Sequence, residues 1–332
     1  MRMTDPKAET KAAPERAKFE VSRNEAGQTL AAVLRIHIPS LAWNRARELC
    51  STGRVLVQGQ EQRDAHIRVT EGLDIDCDAN RRKRREGVLD PADVLHMDSE
   101  VIVIAKRADT LTVPFEDERD TLVDQVRAFL MREQKHRTGE RTSAEVGVVQ
   151  RLDKDTTGVI VFSRTIHAKR ALDDQIRAHS AERRYLALVH GPCRTATHHT
   201  FLVQDRGDGR RGSWGTRRDH IGDPPLDAKE STTHVRLLEN LGTASLVECR
   251  LETGRQHQIR IHLSEAGHPL LGERVYDRRP DPAHPRPLLH AASLAFVHPR
   301  TGLLVRFEAP LPGDFQNKLK ALRQAFTPAR TP

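Results

Sequence analysis

The sequence predicts an α+β fold, in which a mixed, largely antiparallel central sheet flanked by helices follows a small α+β module. Three observations point there. Short apolar β segments recur from Asp93 to about Pro312 with helices between them. Their spacing is irregular, unlike the steady strand–helix alternation of a doubly wound parallel sheet. Finally, five consecutive basic residues, Arg81, Arg82, Lys83, Arg84 and Arg85, interrupt the chain. Such a run repels itself and cannot pack, so it marks a linker.

The chain accordingly divides into a disordered tail (1–22), a small module (23–79), a basic linker (80–91), a large domain (92–315) and a C-terminal tail (316–332). Residues 1–22 are polar, rich in Ala, Lys and Glu, and lack an apolar face. In the module, Leu30, Val33 and Leu34 form a helical stripe. Ser40 stands where an N-cap belongs, before a helix from Leu41 to Cys50 that stops near Gly53 and carries Arg45 and Arg47. Val55–Val57 and Asp74–Cys77 read as short strands, the first entering a Gln58-Gly59 turn. In the large domain, Val101–Lys106 is a buried strand and Leu122–Leu130 an amphipathic helix. A helix over Ala168–Ala178 precedes a strand at Tyr185–Val189, and further strands follow at Thr233–Leu238 and Ala244–Leu251. Residues 203–228, rich in Gly, Asp and Arg, read as an irregular, mobile surface loop.

The net charge of +8 favours a polyanionic partner, either nucleic acid or an anionic membrane surface. Cys50, Cys77, Cys193 and Cys249 are scattered without a C-x-x-C pair. They predict reduced thiols in a cytoplasmic protein rather than a disulfide frame or zinc site. No apolar run approaches the roughly 18 residues that span a bilayer, and no signal-peptide core opens the chain.

Three motifs carry chemistry. Between the apolar stretches Val148-Val149 and Val159–Phe162 lies Arg151-Leu152-Asp153-Lys154-Asp155-Thr156-Thr157-Gly158. Asp153 sits at a loop tip beside a cation, where it serves either as a nucleophile or as an acceptor capping the turn. The second motif is Gly254-Arg255-Gln256-His257-Gln258-Ile259-Arg260-Ile261-His262, a strand end turning into a helix. Its histidines are five apart with no acid between them, which argues against the H-E-x-x-H zinc pattern. The third, Glu182-Arg183-Arg184-Tyr185-Leu186-Ala187-Leu188-Val189, places one of only two tyrosines at the start of a buried strand. That tyrosine is either a core residue or an aromatic face for stacking a base.

Residues 23–79, with Ser40, Arg45, Arg47, Gly53, Val55, Val57 and Gly59, resemble the small RNA-binding domain of the "S-four" ribosomal type. That resemblance implies RNA contacts from Arg45, Arg47 and Arg54, and the linker Arg81–Arg85 would add phosphate contacts. The three motifs together, with Asp98, Lys106, Gly272, Tyr276 and His290, resemble RluA-type pseudouridine synthases over about 220 residues. The resemblance implies a pseudouridine synthase fold and a metal-free, cofactor-free isomerase. Its partner would be structured RNA, with large-subunit ribosomal RNA the leading target, and its state a monomer. Asp153 would attack the uridine, and Arg260 would hold Asp153 charged and oriented. Tyr185 would pack on the uracil and help remove the C5 proton. Arg151 would fill the space left by the flipped nucleotide, and Thr157, Arg255, His257 and Gln258 would line the substrate. Base flipping costs a few kcal/mol, which phosphate contacts offset. Gln150 replaces the family's usual His and cannot titrate. Two other readings are the same chemistry on transfer RNA, and a catalytically silent RNA-binding or ribosome-assembly protein.

Overall fold

The computed structural model describes residues 16–39, 41–79, 88–115, 120–139, 143–215, 222–277 and 284–326. The chain forms two compact units that divide between Arg85 and Glu86. Ser40 and the basic run Arg81–Arg85 lie outside the described residues.

In the first unit, strands β1 (Arg16–Glu20), β2 (Val55–Val57), β3 (Gln60–Glu61) and β4 (Asp74–Asp78) form an antiparallel sheet in the order β1-β4-β2-β3. Helices α1 (Leu30–His37) and α2 (Trp43–Ser51) supply the apolar residues of its core, Leu30, Val33, Leu34 and Leu49 beside Val55 and Ile75. The Thr29 hydroxyl caps α1 by accepting from the Ala32 N–H. Strand β1 corrects the expectation of a disordered tail reaching residue 22. Ala17 and Phe19 pack on the core while Arg16, Lys18 and Glu20 face out. Five residues alternate too briefly to be read alone; the ladder from Arg16–Asp78 to Glu20–Asp74 fixes them.

The second unit is built on an eleven-stranded sheet. Its strands are β5 (Val94–Met97), β6 (Val101–Lys106), β7 (Gly147–Val148), β8 (Thr157–Ser163), β9 (Glu182–His190) and β10 (Ala196–Val203). They are followed by β11 (Gly212–Ser213), β12 (Lys229–Asn240), β13 (Ala244–Leu251), β14 (Leu289–Val297) and β15 (Leu304–Glu308). The order is β11-β10-β12-β13-β9-β14-β8-β6-β5, with β15 paired to β14 and β7 to β8. Every pairing is antiparallel except β14 with β8. The sheet is therefore mixed and largely antiparallel, as the sequence predicts.

Successive residues of a strand face opposite sides. Ile102, Ile104, Ile160 and Phe162 pack with α3 (Leu122–Thr138) and with α5 (Gln258–Glu265) through Ile259 and Leu263. Val101, Val103, Val159 and Val161 pack on the other face with Leu172 of α4 (Ile166–Arg177). Helix α6 (Gly313–Ala325) replaces the expected C-terminal tail from residue 316. Phe315, Leu319 and Leu322 recur at helical spacing and bury against Leu188, Leu246 and Leu288.

Within the 203–228 excursion, residues 206–213 are docked rather than a free surface loop, while residues 222–228 are mostly exposed. β11 pairs with β10, the Ser213 N–H donates to Glu265 Oε1 at 2.9 Å, and Arg206 Nη1 lies 3.5 Å from the same oxygen. Glu265 ends α5, so this loop is tied to the helix that carries Arg260. Among the described residues no helix is long and apolar enough to cross a membrane.

Candidate active site

Asp153 lies on the loop between β7 and β8, and buried groups beneath hold that loop by its backbone. Lys106, only 2% exposed, donates Nζ to the carbonyls of Arg107, Lys154 and Thr156 at 2.7–2.9 Å. Burial pushes this ammonium down to about 7, against the pull of Asp155 and Asp153. The Thr112 hydroxyl donates to Leu152 O at 2.8 Å and accepts from Leu152 N at 3.1 Å. Arg286, gripped by both oxygens of buried Asp314, donates Nη1 to Asp155 O at 3.0 Å. At Gly158 the φ of +117° suits glycine, and a Cβ would sit 2.1 Å from Ala291 O. This close approach brings β8 against β14.

Helix α5 brings the second motif to Asp153. Arg260 extends its guanidinium between two carboxylates. Nε and Nη2 each bond an oxygen of Glu273 at 2.8 Å, while Nη1 stands 3.6 Å from Asp153 Oδ2. Glu273 is fully buried and also accepts from the backbone N–H groups of Val275 and Tyr276. Burial opposes charge on both partners. Their mutual hydrogen bonds outweigh it, raising the Arg260 pKa and lowering that of Glu273. The Arg260 guanidinium also lies 5.4 Å from the centre of the Tyr276 ring.

His257 stands at the N-cap of α5 with φ 58° and ψ 16°, a left-handed conformation unusual for a non-glycine residue. Its Nδ1 is 2.7 Å from the Tyr276 hydroxyl and its Nε2 is 3.9 Å from Asp153 Oδ1. Burial lowers the His257 pKa despite the nearby Asp153 charge, so the ring is neutral near pH 7. Tyr185 lies buried on β9 within electrostatic reach of Asp153, and burial raises its phenol pKa. Its hydroxyl has no hydrogen-bond partner among the described residues.

The structure thus gathers Asp153, Tyr185, His257 and Arg260. Arg151 and Arg255 are exposed nearby in sequence, with Arg255 Nε donating to Glu230 O at 3.1 Å. Two of the expected substrate contacts are buried and bonded to protein. Thr157 is buried, its hydroxyl 2.8 Å from His290 Nδ1. Gln258 is 2% exposed and its amide is fully engaged by protein. Oε1 accepts from Thr253 Oγ1 and Arg255 N, and Nε2 donates to Thr232 O and Thr233 Oγ1. Both side chains hydrogen-bond to the protein beside the turns that present their neighbours.

Reading the sequence missed Glu273, whose signal was an acid between Gly272 and Tyr276. It also missed the anchoring by Lys106, Thr112 and Arg286. In the first unit, Arg45 bonds Glu48 at 2.9 Å, Arg54 donates to Ala79 O at 2.6 Å, and Arg47 is exposed.

Residues 100–265 match the family described as RNA pseudouridylate synthase. The chain is 34% identical to "Ribosomal large subunit pseudouridine synthase D" of Zymomonas mobilis, over 86% of this chain and 90% of that protein. It is 30% identical to the protein of that name from Salmonella typhimurium, over 92% and 94%. Among solved structures it is similar to "Human RNA Pseudouridylate Synthase Domain Containing 4", with a TM-score of 0.58 and 22% identity. That likeness covers 70% of this chain and 93% of the human one. The fold, the order of the motifs and these relatives agree: the chain belongs to the RNA pseudouridylate synthase family.

Proposed function

We propose that this protein converts uridine to pseudouridine in large-subunit ribosomal RNA, with Asp153 as the nucleophile. The observation that carries the reading is the seat of Asp153. Its two oxygens face Arg260 Nη1 at 3.6 Å and His257 Nε2 at 3.9 Å, on a loop held by its backbone. The carboxylate is thereby oriented while about a quarter of its side chain stays open to solvent. A carboxylate oxygen bonds to the nucleoside as the glycosidic C–N bond breaks. The freed uracil turns, a C–C bond forms through C5, the C5 proton leaves and the carboxylate is released. Covalent catalysis divides one difficult isomerisation into easier steps. Tyr185 offers an aromatic surface for the uracil, and Arg151 reaches from the same loop to fill the gap in the RNA stack. The ribosomal target follows the names of the relatives from Zymomonas mobilis and Salmonella typhimurium.

The first unit serves as an RNA-binding domain of the S-four type. Arg45, Arg47 and Arg54, on α2 and just after it, are the contacts this reading assigns, and the run Arg81–Arg85 adds sequence-independent phosphate attraction. The test is release of tritium from ribosomal RNA transcribed with C5-tritiated uridine. Wild-type release that disappears in Asp153→Asn is expected. Equal release by both proteins sinks the nucleophile, and no release by either sinks the enzyme on this RNA.

A further inference from the structure

Arg183 is an oddity of the second unit. It is 5% exposed, yet among the described residues it has no carboxylate partner. One nitrogen, Nη2, donates to Glu252 O at 2.5 Å, and the buried Nε has no partner. The Glu252 carboxylate turns away, to His234 Nε2 at 2.5 Å. A buried guanidinium left without a counter-charge is costly unless something supplies one.

The surroundings say where the charge is aimed. Arg183 and Tyr185 are two residues apart on β9 and so share a face, with Cα atoms roughly 7 Å apart. Arg183 Nη1 lies against Gly254, which is itself exposed. A Cβ at Gly254 would lie 2.6 Å from that nitrogen, so the glycine makes room for the guanidinium. Arg255, the next residue, is exposed and also lacks a carboxylate partner among the described residues. The two cations are close enough for Arg255 to disfavour the charge on Arg183. Arg183 Nη1 and Arg255, the residue after Gly254, thus stand at one turn with no carboxylate paired to either among the described residues, which suits an oxyanion that guanidinium groups bind with paired hydrogen bonds.

We propose that Arg183 and Arg255, meeting at the Gly254 turn, clamp one phosphodiester of the RNA backbone beside the uridine that lies over Tyr185. The proposal rests on the RNA pseudouridine synthase reading above. The phosphate supplies the missing counter-charge, and the clamp sets how far along the strand the target nucleotide lies.

The experiment uses the full chain and transcribed large-subunit ribosomal RNA, and measures binding at several salt concentrations alongside tritium release. Loss of one phosphate contact lowers the slope of log affinity against log salt by about 1. Arg183→Gln and Arg255→Gln are each expected to flatten the slope and to raise KM by roughly tenfold, with kcat changed much less. The double variant loses the slope of one phosphate, not two, because the arginines share it. Arg183→Lys keeps the charge and most of the slope. A purely structural arginine lowers stability or kcat and leaves the slope alone. Should Arg183→Gln fail to fold, Gly254→Ala displaces Nη1 while keeping both arginines and is expected to flatten the slope. An unchanged slope in Arg255→Gln and Gly254→Ala overturns the clamp. Absence of tritium release by the wild type defeats the enzyme reading instead, while the binding slopes still decide the clamp.

Discussion

Arg260 is held more closely by Glu273 than it approaches Asp153. Its two bonds to the buried Glu273 carboxylate are 2.8 Å each, whereas the third nitrogen lies 3.6 Å from Asp153. The guanidinium is thus fixed from behind by a permanent counter-charge, and the proposed nucleophile meets only its free edge. A cation neutralised by Asp153 alone would grip that carboxylate and blunt its attack. Sharing with Glu273 leaves Asp153 oriented but loosely held.

Glu273 therefore acts as a positioning residue for Arg260. Glu273→Gln is expected to lower kcat by roughly a hundredfold, because it removes charge assistance from a two-bond fork worth about 3 kcal/mol. KM is expected to change much less, since Glu273 is fully buried. Glu273→Ala is expected to destabilise the fold by roughly 3–5 kcal/mol by stranding a buried cation. Tritium-release kinetics and urea unfolding measure the two effects. Unaltered kcat in a folded Glu273→Gln protein removes Glu273 from the mechanism.

The Tyr276 hydroxyl and His257 Nδ1 share a hydrogen bond of 2.7 Å, which couples the tautomer of the ring to the phenol. Burial pushes the Tyr276 phenol up to about 12, so its O–H stays protonated. We expect the hydroxyl to donate to His257 Nδ1, 2.7 Å away, which would leave the imidazole proton on Nε2, 3.9 Å from Asp153 Oδ1. Tyr276→Phe is expected to lower kcat about fivefold, the worth of one neutral hydrogen bond of ~1 kcal/mol. His257→Gln, which keeps a donor near the Nε2 position, is expected to be milder than His257→Ala. Indistinguishable Gln and Ala variants contradict the donor role.

Acid should destabilise the second unit through His262 and His290. Burial pushes both imidazoles from 6.5 down to about 4. Below pH 6.5 the unfolded chain takes up protons that the folded chain refuses until about pH 4. Stability is thus fully present above 6.5 and falls as pH drops through this window, by at most roughly 3 kcal/mol per residue. Thermal midpoints between pH 4 and 7 should fall less steeply in His262→Gln than in wild type. Parallel curves for the two proteins rule out His262 as a source.

Much of this architecture is legible in local pattern. The continuous apolar run of Val101–Lys106 and the helical stripe from Leu122 predict elements that the structure contains. Strand β1 and helix α6 are not legible from their own residues. Ala17 and Phe19 form a strand because Asp74–Asp78 is there to pair with, and Phe315 and Leu319 form a buried face because Leu188 and Leu288 receive it. Thr157 and Gln258 sit inside the right motifs, but their hydrogen-bonding capacity is consumed by His290 and by the strand at Thr232-Thr233. Motif membership alone does not separate a residue that faces a ligand from one that shapes the turn.

By itself the sequence determined the fold class, the three motifs and the residue types available for chemistry, because strand alternation, turn chemistry and residue order are properties of neighbouring positions. Only the tertiary structure decided that Arg260 answers to Glu273 as well as Asp153, that Tyr276 meets His257, and that Arg183 reaches Gly254 without a carboxylate partner among the described residues. Such pairings depend on which side chains meet across the sheet and α5, and burial then sets how strongly each charge is felt.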